Sequence, residues 1–150
     1  MIRIPLKLLD PGLAAPRYQH DNDAGFDLSS RIDLLLEPGE RATIPTGIAL
    51  AIPSGFAGFV LPRSGLAARN GIALVNSPGL IDAGYRGEIA VVMINTDVRE
   101  SFQVRRGDRI AQLVIQRVEE ATILLVDDLD ETSRGSAGFG STGKTSGLSG

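Results

Sequence analysis

Apolar and β-branched residues come in short runs along this chain, and most of the runs close on a turn signal. Ile2–Leu9 ends at Asp10-Pro11-Gly12, Ile32–Leu36 at Glu37-Pro38-Gly39, Thr43–Ile52 at Pro53-Ser54-Gly55 and Phe56–Leu61 at Pro62. Ile72–Val75 ends near Pro78-Gly79, and Glu88–Ile94, Phe102–Val104, Ile110–Val118 and Ile123–Val126 follow. Short strands separated by frequent Pro/Gly turns predict an all-β barrel or sandwich. Only Ser64–Arg69 reads as a helix, of one or two turns. Alternating long helices are absent, which argues against a Rossmann or TIM architecture.

The pattern changes after Asp130. Residues 131–150 hold six Gly, five Ser and three Thr, with Phe139 and Leu148 the only large apolar side chains. Such a segment buries too little to offset its own ordering entropy and is expected to be mobile in isolation. The reading is therefore a β domain over 1–130 and a flexible Gly/Ser-rich C-terminal arm over 131–150. Phe139 argues against a plain linker, since linkers seldom carry an aromatic.

Bulk properties narrow the classes further. At 150 residues one domain with a proper core is expected. The formal net charge of -3 predicts no general attraction to nucleic acid or anionic membrane. The chain has no Cys, so disulfides, thiolate nucleophiles and Cys-ligated metal are excluded; a single His, His20, leaves no His-rich metal site. The N-terminus MIRIPLKLLDPG lacks a long apolar core for a signal peptide, and Gly47–Pro62 is too interrupted for a membrane span. A cytoplasmic protein is expected. Lys7 and Lys144 are the only lysines; the remaining cations are Arg, which suits bidentate phosphate recognition or simply reflects a codon preference.

Five segments place Gly beside Arg, Asp, Ser or Thr, the chemistry that grips phosphate and metal: AGFDLSS at 24–30, PRSGLA at 62–67, GLIDAGYRGEI at 79–89, RRGDRIAQL at 105–113 and RGSAGFGSTG at 134–143. Residue by residue, each has a bland reading. Asp82 and Asp27 are turn aspartates, Tyr85 a half-buried strand residue, Asn76 a turn residue, Gln112 an outward strand residue and Ser64 a helix N-cap. Arg63, Ser64 and Gly65 together offer a guanidinium, a hydroxyl and an amide to an anion. Two motifs mislead. GFGSTGKT at 138–145 fits the P-loop pattern, but lacks a preceding strand and a following helix. Arg106-Gly107-Asp108 spells an adhesion tripeptide but reads as a β-turn.

Taken in order and spacing, the five segments resemble the deoxyuridine triphosphate nucleotidohydrolases (dUTPases), from about Asp21 to Thr142. The third, fourth and fifth segments are specific together; the first has Phe26 where the family often has Tyr. The resemblance implies a jelly-roll-like β-barrel, assembled as a homotrimer whose sites lie between subunits and are closed by the arm of the third. It implies hydrolysis of dUTP to dUMP and pyrophosphate with Mg²⁺ on the triphosphate, limiting uracil in DNA and supplying dUMP for thymidylate synthesis.

The same resemblance assigns roles. Asp82 is the general base that orients and deprotonates water. Tyr85 is the deoxyribose platform, occupying the space of a ribose 2′-hydroxyl. Asn76 contacts uracil near a hairpin whose backbone reads the base. Arg63, Ser64, Gly65 and Gln112 bind phosphate, and Asp27 holds Mg²⁺ through water, as a cation that keeps most of its waters allows. In the arm, Phe139 covers uracil, while Arg134, Gly140, Ser141 and Thr142 bind the β- and γ-phosphates. Two other readings remain: a dCTP deaminase-like enzyme of the same barrel, which needs a catalytic Glu in place of the Asp82–Tyr85 constellation, and a non-catalytic barrel that binds a nucleotide or protein partner.

Overall fold

The computed structural model describes residues 2–132 and Gly135. Its elements are β1 (Leu6–Leu8), β2 (Gly25–Ser29), β3 (Leu34–Leu36), β4 (Arg41–Pro45), β5 (Ile48–Leu50), β6 (Phe56–Leu61), α1 (Ser64–Asn70), β7 (Ile72–Leu74), β8 (Gly79–Ile81), β9 (Ala90–Asn95), β10 (Phe102–Val104) and β11 (Arg109–Arg117). The chain divides after Glu120 into two compact units. All the strands and the helix belong to the first.

The strands form antiparallel ladders: a four-stranded sheet ordered β2-β11-β6-β8, a three-stranded sheet β4-β9-β7, and the pairs β1-β5 and β10-β3. Among the described residues these ladders do not close into a continuous barrel. They share one core instead. Leu28, Leu36, Ile44, Val60, Val91, Met93, Val104 and Leu113 come from all the larger ladders and are almost wholly buried. The two-residue period places them. In β9, Val91, Met93 and Asn95 face inward and alternate with Val92 and Ile94. Asn95 is the polar member of this set, and it is satisfied: its Nδ2 donates to the carbonyls of Leu36 and Glu100.

Several apolar runs resolve differently from the sequence pattern. The run Thr43–Ile52 is two strands, because Gly47 takes a left-handed φ of 75° and breaks it. The segments Gly25–Ser29 and Gly79–Ile81 are strands although the pattern gave them none, since both contain Gly and find partners in β11 and β6. Ile123–Val126 is not a strand. A strand exists by pairing, and this run has no ladder among the described residues; Ile123, Leu124 and Leu125 are 88, 77 and 101% exposed. Arg106-Gly107-Asp108 is a β-turn, with Gly107 at φ 93°. Its charged ends are engaged within the chain, Arg106 on Asp10 and the Asp108 carboxylate on the Arg105 amide.

Leu113 lies fully buried on the central strand β11. Leu113→Ala is expected to cost about 2–5 kcal/mol by lost transfer energy and a cavity, read as a lower urea midpoint. A change below a few tenths would mean that the site collapses freely.

Asp10 titrates below its ordinary value of 3.8, chiefly because the Arg106 side chain donates to it; the Gly12 amide and the Arg31 charge act in the same direction, against desolvation. A depressed folded-state pKa gives stability that is present above pH 3.8 and lost as pH falls through the folded value. Asp10→Asn is therefore expected to lower the urea midpoint at pH 7 and to approach the parent chain as the pH drops below 3.8. A pH-independent difference would remove Asp10 from the acid response.

Candidate active site

The predicted site residues that lie among the described residues gather at two places. The first is a corner built by β2, β11 and the end of β6. Antiparallel pairing sets Gln112 opposite Asp27 on one side and opposite Leu61 on the other. A bulge between Arg109 and Ala111 absorbs one residue of β11. Arg109 then pairs with Ser29 while Gln112 pairs with Asp27, so two residues three apart share a face that a regular strand would deny them. Ile110 and Ala111 both turn into the core.

Asp27 is the hub of this corner. Its Oδ1 lies 3.0 Å from Arg63 Nε and its Oδ2 3.1 Å from Arg109 Nη1. Arg63 Nη1 also donates to the Arg109 carbonyl at 2.8 Å, and Gln112 Nε2 to the Pro62 carbonyl at 2.9 Å. One carboxylate against two guanidiniums leaves the corner a net cation, suited to a polyanion. The bland reading of Ser64 does not hold. Helix α1 has Arg63, in extended backbone, at its N-cap position, with no side-chain cap. Gly65 lies beneath the Arg69 guanidinium, which a Cβ there would meet at 2.9 Å.

The second place is the loop after β8. Leu80, Ile81, Asp82, Tyr85, Glu88, Ile89 and Ala90 line a cleft of about 230 Å³. Asp82 is exposed and takes part in no ion pair among the described residues. Its carbonyl accepts from the Tyr85 amide at 3.1 Å, closing the Ala83-Gly84 turn. Tyr85, 43% exposed, donates its hydroxyl to the Glu88 carbonyl at 2.9 Å. Arg86 turns back on the carbonyls of Ala83 and Tyr85. Asn76 is exposed in the β7–β8 turn, its amide beside the buried Gly79, where a Cβ would stand 3.3 Å from Nδ2.

Among the described residues strand β8 is an edge strand, paired only with β6. Its other side has no strand partner among the described residues and leaves peptide groups free to hydrogen-bond.

A family model for dUTPase matches residues 13–143. This chain belongs to the dUTPase family. It is 58% identical over 142 residues to the deoxyuridine 5'-triphosphate nucleotidohydrolase of Thermobifida fusca, covering 95% of this chain and 79% of that one. It is 53% identical over 139 residues to the Tropheryma whipplei enzyme of the same name, covering 93 and 95%. Among solved structures it resembles the Staphylococcus bacteriophage 80alpha dUTPase G164S mutant with dUpNHpp (TM-score 0.87, 29% identity, 95 and 99% of the two chains). It also resembles a phage phi11 D95N dUTPase described with a structural Mg(II) ion (TM-score 0.78, 27% identity, 85 and 98%). The fold is thus the dUTPase jelly roll, and the chain is an enzyme.

Arg134, Phe139, Gly140, Ser141 and Thr142, and the P-loop-like 138–145, lie outside the described residues. Three residues that the sequence reading did not single out lie at these two places. Arg109 is the second cation on Asp27. Glu88 lines the cleft. Gly87 packs so closely against Tyr85 that an added Cβ would collide with the phenol ring and hydroxyl. Close approach of an aromatic to glycine backbone leaves no sequence signal beyond the Gly itself.

Gly87→Ala is therefore expected to displace the Tyr85 ring and lower kcat/KM for dUTP by about 10²-fold, the scale of a 1 Å misplacement, with the fold intact by circular dichroism. Unchanged kinetics would mean that the ring has room to move.

Proposed function

We propose that the Asp82 loop and the Asp27 corner are two halves of one nucleotide site, contributed by different copies of the chain. The chain hydrolyses dUTP to dUMP and pyrophosphate, which keeps the dUTP pool low and supplies dUMP. The observation that carries the two-copy reading is the register of β6 with β8. Gly58 pairs with Ile81 and Val60 with Gly79, so Asp82 lies by the start of β6 whereas Arg63 follows its end. From Ala57, the position opposite Asp82, to Arg63 is roughly 20 Å of extended chain. That is too far for a base and a phosphate ligand acting on one triphosphate. A second copy, packed so that its corner meets this loop, closes the gap. The exposed apolar run Ile123–Val126 also suits a chain that is buried on assembly. The assembly proposed is a homotrimer, each site closed by the arm, residues 131–150, of the third copy.

The chemistry then divides among residues. Uracil lies along the free edge of β8, read by peptide groups and by Asn76. The Tyr85 ring occupies the space of a ribose 2′-hydroxyl. Asp82 accepts a proton from water as its oxygen attacks the α–β phosphoanhydride, and pyrophosphate leaves. Arg63, Ser64, Gly65 and Gln112 hold the phosphates, and the arm residues Arg134, Phe139, Gly140, Ser141 and Thr142 cover base and phosphates. Mg²⁺ fits the corner as a hydrated ion on the triphosphate. Each Asp27 oxygen already meets a guanidinium, yet retains a lone pair for a metal-bound water. When bound, the ion neutralises phosphate charge. Such an enzyme works beside the nucleotide pool, in the cytoplasm; no helix of the described residues is long and apolar enough to cross a membrane.

Asp82→Asn is expected to keep dUTP binding and lose about 10²–10⁴-fold in kcat, the usual weight of a general base. Arg63→Ala is expected to be inactive through phosphate binding. Unfolded together and reassembled in equal amounts, the two variants should regain about a quarter of parent activity, because that share of shared sites draws an intact half from each partner. Light scattering should give three times 15.8 kDa. Mixing without any gain, or a monomeric mass with full activity, would place the whole site within one chain.

A further inference from the structure

Glu88 holds two distant segments directly, at Arg31 and Gly47, and ends a run of ion pairs that passes through Arg31 and Asp10 to Arg106. Arg106 Nη2 lies 2.8 Å from Asp10 Oδ1, Arg31 Nε 3.7 Å from Asp10 Oδ2, and Arg31 Nη1 3.3 Å from Glu88 Oε2. The other Glu88 oxygen, Oε1, accepts the Gly47 amide at 2.8 Å. Gly47 is buried and left-handed, its carbonyl taken by Leu9 and Asp10 amides, so this anchor is itself held. The next residue is fixed as well. The Ile89 amide donates to Ile48, and its carbonyl accepts the amide and hydroxyl of Thr46. Residue 88 is thus clamped through side chain and neighbouring backbone together.

The Tyr85 hydroxyl is bonded to that clamp, at the Glu88 carbonyl. An exposed tyrosine on a turn swings freely unless its tip is held. A ring that excludes one hydroxyl of a sugar must stay within about 0.5 Å of its place, which requires support from behind. We propose that Glu88, braced by Arg31 and Asp10, is a positioning residue for sugar discrimination: it fixes the carbonyl on which the Tyr85 ring is set. This rests on the reading of Tyr85 as the deoxyribose platform. A brace that served only the fold would cost activity toward dUTP and UTP alike, whereas a brace for the ring changes their ratio.

The test measures kcat/KM for dUTP and for UTP with the full chain and its Glu88→Ala, Arg31→Gln, Tyr85→Phe and Tyr85→Ala variants. Glu88→Ala is expected to narrow the preference for dUTP by about tenfold, short of the loss that a full 1 Å misplacement brings. Arg31→Gln, which breaks the same ion pair from its other end, should narrow it in the same direction and decides the matter if Glu88→Ala does not fold. Tyr85→Phe combined with Glu88→Ala should narrow it no further than Tyr85→Phe alone, because both remove one support. A preference unchanged in the Glu88 and Arg31 variants, while Tyr85→Ala narrows it, overturns the proposal and leaves the Tyr85 reading standing. A preference unchanged in Tyr85→Ala overturns both.

Discussion

The pairing of β11 with β6 governs both the core and the chemistry of this chain. With Leu113 opposite Val60 and Gln112 opposite Leu61, one face of β11 fills the core and the other faces the corner that holds Asp27 and Arg63. A slip of one residue would turn Leu113 outward and bury Gln112, so the burial of a leucine fixes the direction of an amide. The bulge at Arg109 extends the same logic. It lets two inward residues, Ile110 and Ala111, follow one another while Arg109 and Gln112 stay on the face of Asp27.

The same register also separates the two clusters. Because β8 runs antiparallel to β6, the Asp82 loop and the Asp27 corner are carried to opposite ends of one strand. Antiparallel pairing holds them apart within one chain. The proposed sharing of the site between copies answers that separation, and each cluster is anchored at the end of a well-packed strand, where side chains are placed more accurately than on free loops.

Electrostatics follow the same division. At the corner one carboxylate is matched by two guanidiniums, which leaves a net positive charge there. Behind the loop, Arg106, Asp10, Arg31 and Glu88 alternate in sign and connect segments nearly a hundred positions apart. Exposed ion pairs of this kind contribute little stability singly. They end at the residue whose carbonyl accepts the Tyr85 hydroxyl, which is the geometry that the proposed positioning role rests on.

What the sequence determined by itself was the local grammar. Period-two apolar runs and Pro/Gly turns specify short antiparallel strands, Ser64–Arg69 specifies one helix, and the five Gly-centred segments specify the family and put forward Asp27, Arg63, Asp82, Tyr85 and Gln112 as candidates. These signals are legible because they depend on residues close together in the chain. Tertiary structure decided the rest. It made strands of Gly25–Ser29 and Gly79–Ile81, whose partners lie far away, and withheld one from Ile123–Val126, which pairs with nothing among the described residues. It joined Asp27 to Arg109, seated Tyr85 on Gly87 and brought Glu88 to Gly47. A ladder, a bulge or an ion pair between distant residues exists only once register is set. Register is chosen by burying the whole set of apolar side chains at once, a quantity that no single stretch of sequence contains.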